Sequence, residues 1–574
     1  MKVGLVGVDS QYIHRSLAIR ALERACLDAG LPVSCLEYNI NQQPSEAYGE
    51  LLREGADVLC FSVYIWNYEW ISRLTRDMRA AQPALCIVWG GPMASYECET
   101  VLRQNPAVDY VIAGEGEESL PELLKALERE EGAEWIPGIG SRANPRPQFR
   151  TVEGFAGLPF PYTDAFLREN RERILYYESS RGCPFRCSYC LSGGEVAVRE
   201  RPAERVKEDL SRFLQAGVRT VKFVDRTFNC HEERAREILR FVLEAEGETR
   251  FHFEIGADLL SGETVSLLQK ASPGRIQLEA GVQSTNPKTL EAVCRKTDLD
   301  RLFRNVKALR EKGNLHLHLD LIAGLPFEGF ERLRQSFHEV YALHPHDLQL
   351  GFLKLLPGSP LAGRAEEYGL ICRDYPPFEI IRSRELSAGD LVRLKGVASA
   401  AERFSGESFA LTLPWLMEQT GLAPFDLFLE LAEACRAYTP GALSAADCFR
   451  LLYRFGSDRM PAEKAGLLRA KLYADSLCRG LLIPELLEPT EKAEKDSFYR
   501  AAHSEAMAGR LGFSPANARE SYKKLRFARF SCDPLESAEG ERYYVFDWHE
   551  RHPVSGRYPM EDITDLMQKI YNHL

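Results

Sequence analysis

A chain of 574 residues is too long for one hydrophobic core and implies about two to four domains. Its 45% hydrophobic and 27% charged residues are those of a soluble globular protein with material for several cores, which excludes a disordered or fibrous chain. A net charge of -11 and a pI near 5.7 argue against a broad nucleic-acid footprint, because phosphate binding needs clustered Lys and Arg. The start, MKVGLVGVDS, lacks the basic and apolar regions of an export signal, and no apolar run is long enough to span a bilayer. The 15 cysteines are odd in number and scattered, unlike a secreted disulfide scaffold, so a reducing cytoplasm is expected.

In chain order, Lys2–Val8, Val33–Tyr38, Asp57–Val63, Leu85–Trp89 and Tyr110–Ala113 read as strands. Helix-like stretches lie between them at Ser16–Ala29, Ser45–Arg53, Tyr68–Ala81, Ala94–Gln104 and Ser119–Glu131. Continuous apolar strands alternating with helices predict a doubly wound parallel five-stranded sheet over residues 1–135, with its ligands beyond the carboxyl ends of the strands. Residues 136–168 carry Pro137, Pro145, Pro147, Pro159 and Pro161 and read as a linker. A second alternation fills 169–385, with strands expected at Ile174–Ser179, Thr220–Val224, Phe251–Ile255, Arg275–Glu279, Leu315–Leu321 and Leu348–Lys354. Six βα units predict a partial (β/α)6 barrel with its chemistry at the carboxyl ends of the strands. Residues 386–574 read as mainly helical, with one strand near Arg542–Asp547.

Cys183, Cys187 and Cys190 form a C-x3-C-x2-C array directly after the first strand of this second alternation. Thiolates so close in sequence can converge on an iron–sulfur cluster or on zinc. Zinc would want a fourth ligand, and the next Cys or His is Cys230. Three ligands on a 4Fe-4S cluster leave one iron open for a substrate.

The array, with Tyr189 before its last Cys, resembles the signature of the radical S-adenosylmethionine (SAM) superfamily. The resemblance implies that Cys183, Cys187 and Cys190 ligate the cluster, that the open iron chelates SAM, and that one electron yields a 5′-deoxyadenosyl radical. It implies further that Tyr189 flanks the adenine. Later strand ends are similar to the same family: Phe223–Phe228 with Asp225, near the methionine amino group; Gln277–Ser284 with Glu279 and Gln283, at ribose and carboxylate; and Asp320–Pro326 with Ile322, behind the adenine.

Gly114-Glu115-Gly116-Glu117 follows a strand and opens a helix, yet Ser119 replaces the third glycine of a dinucleotide fingerprint. Ser62-Val63-Tyr64 and Gly90-Gly91 end the third and fourth strands, and their spacing is similar to that of cobalamin-binding domains. In such domains a His after the first strand commonly ligates cobalt; here Gln11 occupies that place and His14 comes three residues later. The resemblance implies a cobalamin site at Gln11, Ser62, Tyr64, Gly90, Gly91 and Gly114–Glu117, with no such His ligand. The linker element Leu158-Pro159-Phe160-Pro161 is similar to the interdomain bridge of cobalamin-dependent radical SAM enzymes.

This family resemblance implies methylation of an unactivated carbon in an unknown substrate, with 4Fe-4S, SAM and cobalamin as cofactors and an electron donor such as flavodoxin or ferredoxin. It does not exclude a non-methylating rearrangement or cyclisation. A methylthiotransferase would hold a second cluster, but Cys35, Cys60 and Cys86 fall within predicted strands, where cysteine is commonly a small core residue. A non-catalytic cobalamin or redox sensor would not need the SAM-like strand ends. Trp66 and Trp70 are candidates for shielding a corrin face or for packing a helix start; Tyr543, Tyr544 and Trp548 are read as core cover.

Overall fold

The computed structural model describes residues 1–572 apart from 195–196, 405, 439–442, 489–491, 505–506, 508 and 510–521. No helix among the described residues is long and apolar enough to cross a membrane.

The N-terminal sheet runs β2 (Ser34–Asn39), β1 (Val3–Asp9), β3 (Val58–Ser62), β4 (Cys86–Gly90), β5 (Tyr110–Ile112), β6 (Ile139–Gly140). The first five are parallel; β6 pairs antiparallel with β5. This two-residue edge strand comes from the expected linker, where Pro137 and Gly138 masked any strand pattern. Successive residues of β1 and β3 enter opposite cores. Val6, Leu59 and Phe61 join the face covered by α2 (Pro44–Glu54), α3 (Tyr68–Ala81), the short α4 (Pro92–Ser95) and α5 (Cys98–Gln104). Leu5, Val58 and Cys60 join the face covered by α1 (Leu17–Asp28) and α6 (Gly116–Glu128). Burial on both faces is why these strands read as unbroken apolar runs. The expected helix over Ala94–Gln104 is two pieces, broken at Tyr96–Glu97.

After α7 (Asp164–Glu169), the strands β7 (Ile174–Tyr177), β10 (Thr220–Phe223), β11 (Arg250–Ile255), β12 (Ile276–Gln283), β13 (His316–Ala323) and β14 (Asp347–Phe352) follow in sequential order, all parallel. β7 and β14 are not paired with each other, so the barrel is partial. The intervening helices are α8 (Ala203–Gln215), α9 (Glu232–Glu244), α10 (Gly262–Leu268), α11 (Pro287–Ala292), α12 (Leu299–Arg310) and α13 (Phe330–Tyr341). Burial alternates along β12 and β13: Leu317, Leu319 and Leu321 enter the core, while His316, His318 and Asp320 occupy the other face. A ribbon of β8 (Ser180–Arg181) and β9 (Arg199–Glu200) frames the cysteine loop.

Five helices, Ala388–Phe404, Thr412–Thr420, Pro424–Tyr438, Ala445–Ser457 and Ala465–Cys478, begin the C-terminal part. The single strand expected near Arg542–Asp547 is the middle of a three-stranded antiparallel sheet with Leu525–Cys532 and Met560–Asp562. Its edge strands escaped detection because one carries Arg526 and Arg529 among its apolar residues and the other is three residues long. Tyr543 and Tyr544 are buried as expected, and Trp548 donates its indole N–H to Leu477 O at 2.8 Å. Arg250 at the start of β11 donates to Pro553 O at 3.4 Å, and Pro553 packs on Gly274 just before β12. The C-terminal sheet therefore meets the barrel at the amino ends of its strands, away from the cysteines.

Candidate functional site

Two cavities lie at the carboxyl ends of the strands, where both sheets leave chain ends facing one another. The larger, about 820 Å3, is a cleft between the N-terminal sheet and the barrel rim. Its N-terminal wall is built from Asp9, Ser10 and His14 at and beyond the end of β1, Ser62 and Tyr64 at and beyond the end of β3, Gly90 and Gly91 at and beyond the end of β4, and Gly114–Glu117 at the start of α6; Tyr176, Lys222 and Arg226 come from the barrel. The smaller, about 180 Å3, occupies the barrel mouth between Thr227, Glu254, Glu279, Gln283, Arg295 and Asp320. Arg226 and Glu254 line both.

The glycines of the cleft play different parts. Gly91 has φ 93°, and a Cβ there would stand 2.7 Å from Val63 O. Gly114 has φ 105° and lies against the Arg150 backbone. Both positions exclude side chains for conformational reasons. Gly90 is relaxed; a Cβ there would approach only Ile112 Cβ, at 3.7 Å, so its smallness widens the cleft. Tyr64 and Trp66 stack with centroids 4.3 Å apart and both line the cleft, whereas Trp70 is buried and donates to Gln42 O at 2.8 Å. His14 Nδ1 lies 2.8 Å from Tyr176 OH, which joins the loop after β1 to the first barrel strand.

The cysteine loop is pinned where Ser188 N donates to Val293 O at 2.9 Å and Leu361 N donates to Ser188 O at 2.7 Å. Cys187 is buried; Cys183 and Cys190 are half-buried. Burial raises the Cys183 thiol, whose Sγ lies 3.7 Å from Thr227 Oγ1. Arg295 Nη1 lies 3.7 Å from Cys187 Sγ and 3.4 Å from Tyr189 OH, and its Nη2 donates to Gly281 O. A single tetrahedral zinc, with Zn–S bonds of ~2.3 Å, would need sulfurs roughly 3.8 Å apart. Among the described residues, three ligand atoms lie within 4.8 Å of one another only at Glu200, Cys230 and His231, where Arg234 is already 3.5 Å from Glu200. The wider triplet suits a cluster better than one ion. Gln283 ends β12 with φ 71° at a register shift, and its Oε1 is buried without a partner beside Arg295, whose Nε is likewise unpartnered. A strained polar residue with an unmet acceptor at a cavity wall is a candidate ligand contact.

The expectations for other residues divide. Ser62, Tyr64, Gly90, Gly91 and Gly114–Glu117 all line the cleft; Glu279 and Gln283 line the barrel mouth. Gln11 is exposed and does not line the cleft; the tight turn closed by His14 N donating to Gln11 O carries its side chain outward. Asp225 is fully buried and lines neither cavity: its Oδ1 accepts from Ser179 N at 2.7 Å and Ser180 N at 3.2 Å, so it ties the end of β10 to the end of β7. Tyr189 and Ile322 also stand outside the cavity walls, with Ile322 packed against the barrel core. The Glu115 and Glu117 carboxylates are committed to Arg181 and Arg199. Cys35, Cys60 and Cys86 lie in β2, β3 and β4 as expected, and burial pushes the Cys60 thiol well up, which disfavours a thiolate ligand set there.

Sequence reasoning missed Asp9, Glu178, Lys222, Glu254, Arg181 and Arg295. Burial raises the carboxyls of Asp9, Glu178 and Glu254 to about 7, and all three line the cleft. Glu279 is the opposite: although burial opposes ionisation, His252 at 2.9 Å and Lys222 at 3.2 Å hold it down at about 2. Lys222 and Glu254 alternate inward on barrel strands, a signal that was available; Arg295 follows a helix end and carries none.

Residues 177–340 match the radical SAM superfamily, 3–124 the B12 binding domain, and 366–546 a protein family of unknown function, DUF4080. The chain is 28% identical over 353 residues to the cobalamin-dependent radical SAM methyltransferase TokK of Streptomyces tokunonensis, covering 55% of this chain and 49% of that one. It spans about half the length of the curated relatives it matches. Among solved structures it resembles the cobalamin-dependent SAM radical enzyme OxsB with aqua-cobalamin bound (TM-score 0.58, 17% identity, 87% of this chain and 83% of that one). It also resembles the methyltransferase TsrM from Kitasatospora setae with cobalamin and a [4Fe-4S] cluster bound (TM-score 0.54, 18% identity, 66% and 78%). These likenesses agree with the doubly wound sheet, partial barrel and helical C-terminal region. The two matched domains are those that carry cobalamin, and a 4Fe-4S cluster with SAM.

Proposed function

We propose that this chain, which its B12-binding and radical SAM domains place among the cobalamin-binding radical SAM proteins, is an enzyme that methylates an unactivated carbon of a substrate still to be identified. The observation that carries this reading is the shared wall: the cleft of the B12-binding domain and the barrel mouth beside the cysteine loop are adjacent, with Arg226 and Glu254 lining both. A corrin and a SAM molecule held in the two cavities would face each other across these side chains.

Cys183, Cys187 and Cys190 would hold the cluster; Arg295 would meet the SAM carboxylate, and Gln283 and Glu279 its amine and ribose hydroxyls. Ser62, Gly90 and Gly91 would admit the nucleotide tail of cobalamin between β3 and β4, with Tyr64 and Trp66 covering a corrin face. The chemistry these groups supply when bound is reductive SAM cleavage and carriage of a methyl group. The chain's own part is placement and exclusion of water. Lys222 and His252 keep Glu279 ionised, so it accepts hydrogen bonds, while Glu254 near pKa 7 can donate one across the junction. An electron donor such as flavodoxin or ferredoxin completes the scheme. A reducing, cytoplasmic setting belongs to the same reading, on the odd number and scatter of the 15 cysteines in the sequence.

The test is anaerobic reconstitution with and without added cobalamin, followed by iron and cobalt analysis and an assay for 5′-deoxyadenosine on reduction with SAM. The proposal expects about four irons and one cobalt per chain, with deoxyadenosine abolished in Cys187→Ala. Iron and deoxyadenosine without cobalt would reject the cobalamin assignment. About eight irons would favour a methylthiotransferase.

A further inference from the structure

Arg181 stands on β8, two residues before Cys183. Its guanidinium reaches three carboxylates: Nη2 donates to Glu117, Nη1 lies 3.3 Å from Glu115 Oε2, and Nε donates to Glu178 at 2.9 Å. Its cross-strand neighbour Arg199 donates Nη1 to Glu115 Oε2 at 2.9 Å and to Val152 O at 2.8 Å. Both guanidinium groups lie over the Phe155 ring, at 4.9 and 6.0 Å. Glu115 and Glu117 belong to the loop that opens α6 and lines the large cleft. A continuous line of contacts therefore runs from the cleft wall through Glu115 and Glu117 to Arg181, then across one intervening residue, Gly182, to the first cysteine.

The ribbon β8/β9 has two residues on each strand, too few for backbone pairing alone to fix a loop. Its charged side chains supply the rest. Side-chain exposure is 15% for Arg181 and 7% for Glu117, so the pair is shielded from solvent, and forked arginine contacts fix orientation as well as distance. Removing Arg181 leaves the Glu117 carboxylate shielded from solvent without that partner, and removing Glu117 leaves Arg181 only Glu115 and Glu178.

We propose that Arg181 is a positioning residue that couples the cysteine loop to the corrin side of the protein through Glu115 and Glu117. Filling the cleft is then felt at the cluster without direct contact between the two cofactors. The inference rests on the reading of the cleft and loop as cofactor sites, and the experiment separates the two.

The full-length chain and its Glu117→Gln, Arg181→Met and Arg181→Lys variants are compared twice. In the unreconstituted chain, amide hydrogen exchange over residues 180–192 should rise about tenfold in Glu117→Gln and Arg181→Met, less in Arg181→Lys, with β1 and β3 unchanged. In the reconstituted chain, hydroxocobalamin should alter the electron paramagnetic resonance spectrum of the reduced cluster in the wild type, weakly in Arg181→Lys, and not in Glu117→Gln. Unchanged exchange in both Glu117→Gln and Arg181→Met, or a cobalamin effect kept in Glu117→Gln, would overturn the coupling. A wild type that takes up iron but no cobalamin would sink the cleft assignment, and the exchange result would still decide the clamp.

Discussion

Asp225 accepts a hydrogen bond from the backbone N–H of Ser179 at 2.7 Å, with no solvent exposure. A residue whose place after a barrel strand suggests a ligand contact ties the chain leaving β10 to the chain leaving β7. In Asp225→Ala the buried N–H groups of Ser179 and Ser180 lose their acceptor, at a cost of about 2–4 kcal/mol. Chemical denaturation of the cofactor-free protein measures this. A ligand-only role would leave that stability unchanged.

Neighbouring glycines should respond differently. Gly91→Ala forces a Cβ to 2.7 Å from a carbonyl oxygen at φ 93° and should cost about 2 kcal/mol or more. Gly90→Ala should stay within about 1 kcal/mol of wild type, because its Cβ meets only Ile112 at 3.7 Å. Its added methyl group intrudes on the cleft, so cobalamin affinity, read by absorbance titration, should fall in Gly90→Ala while thermal stability holds.

Asp9, Glu178 and Glu254 have folded-state pKa values near 7, above the unfolded values of ~4. Between roughly pH 4.5 and 7 the folded state binds more protons, so stability is greatest at the acid end of this window and is lost as pH rises through 7. Glu279, at about 2, contributes stability that is present above ~4.5 and lost only in stronger acid. The melting temperature of the cofactor-free protein should therefore rise as pH falls from 8 to about 5.5. Replacing Glu178 and Glu254 together by Gln should flatten that rise.

Arg295 places a positive charge 3.7 Å from Cys187 Sγ. A cation beside a ligating sulfur favours the more negative, reduced cluster. Arg295→Met should retain iron, shift the cluster's midpoint potential downward and weaken SAM binding. Redox titration followed by electron paramagnetic resonance tests the first effect, and an unchanged potential would show that Arg295 serves only the barrel mouth.

Much of the architecture is written locally. Strands buried on both faces must be apolar throughout, so β1, β3 and β4 stand out of the sequence, and the cysteine spacing survives because ligands on one loop are neighbours in the chain. Small residues after β3 and β4 are legible for the same reason: a turn is made by consecutive residues. What the fold alone decides is which way a polar side chain faces and what it meets. Of two carboxylates expected at the site, Asp225 just past β10 is held by the scaffold, while Glu279 midway along β12 forms a cavity wall. Glu115 and Glu117, read as a binding turn, meet Arg181 across more than 60 residues of sequence, and Arg295 meets Cys187 across 108. Such pairings leave no periodic trace, because charge interactions depend on distance in space and on burial, and neither is fixed until the two sheets close on one another.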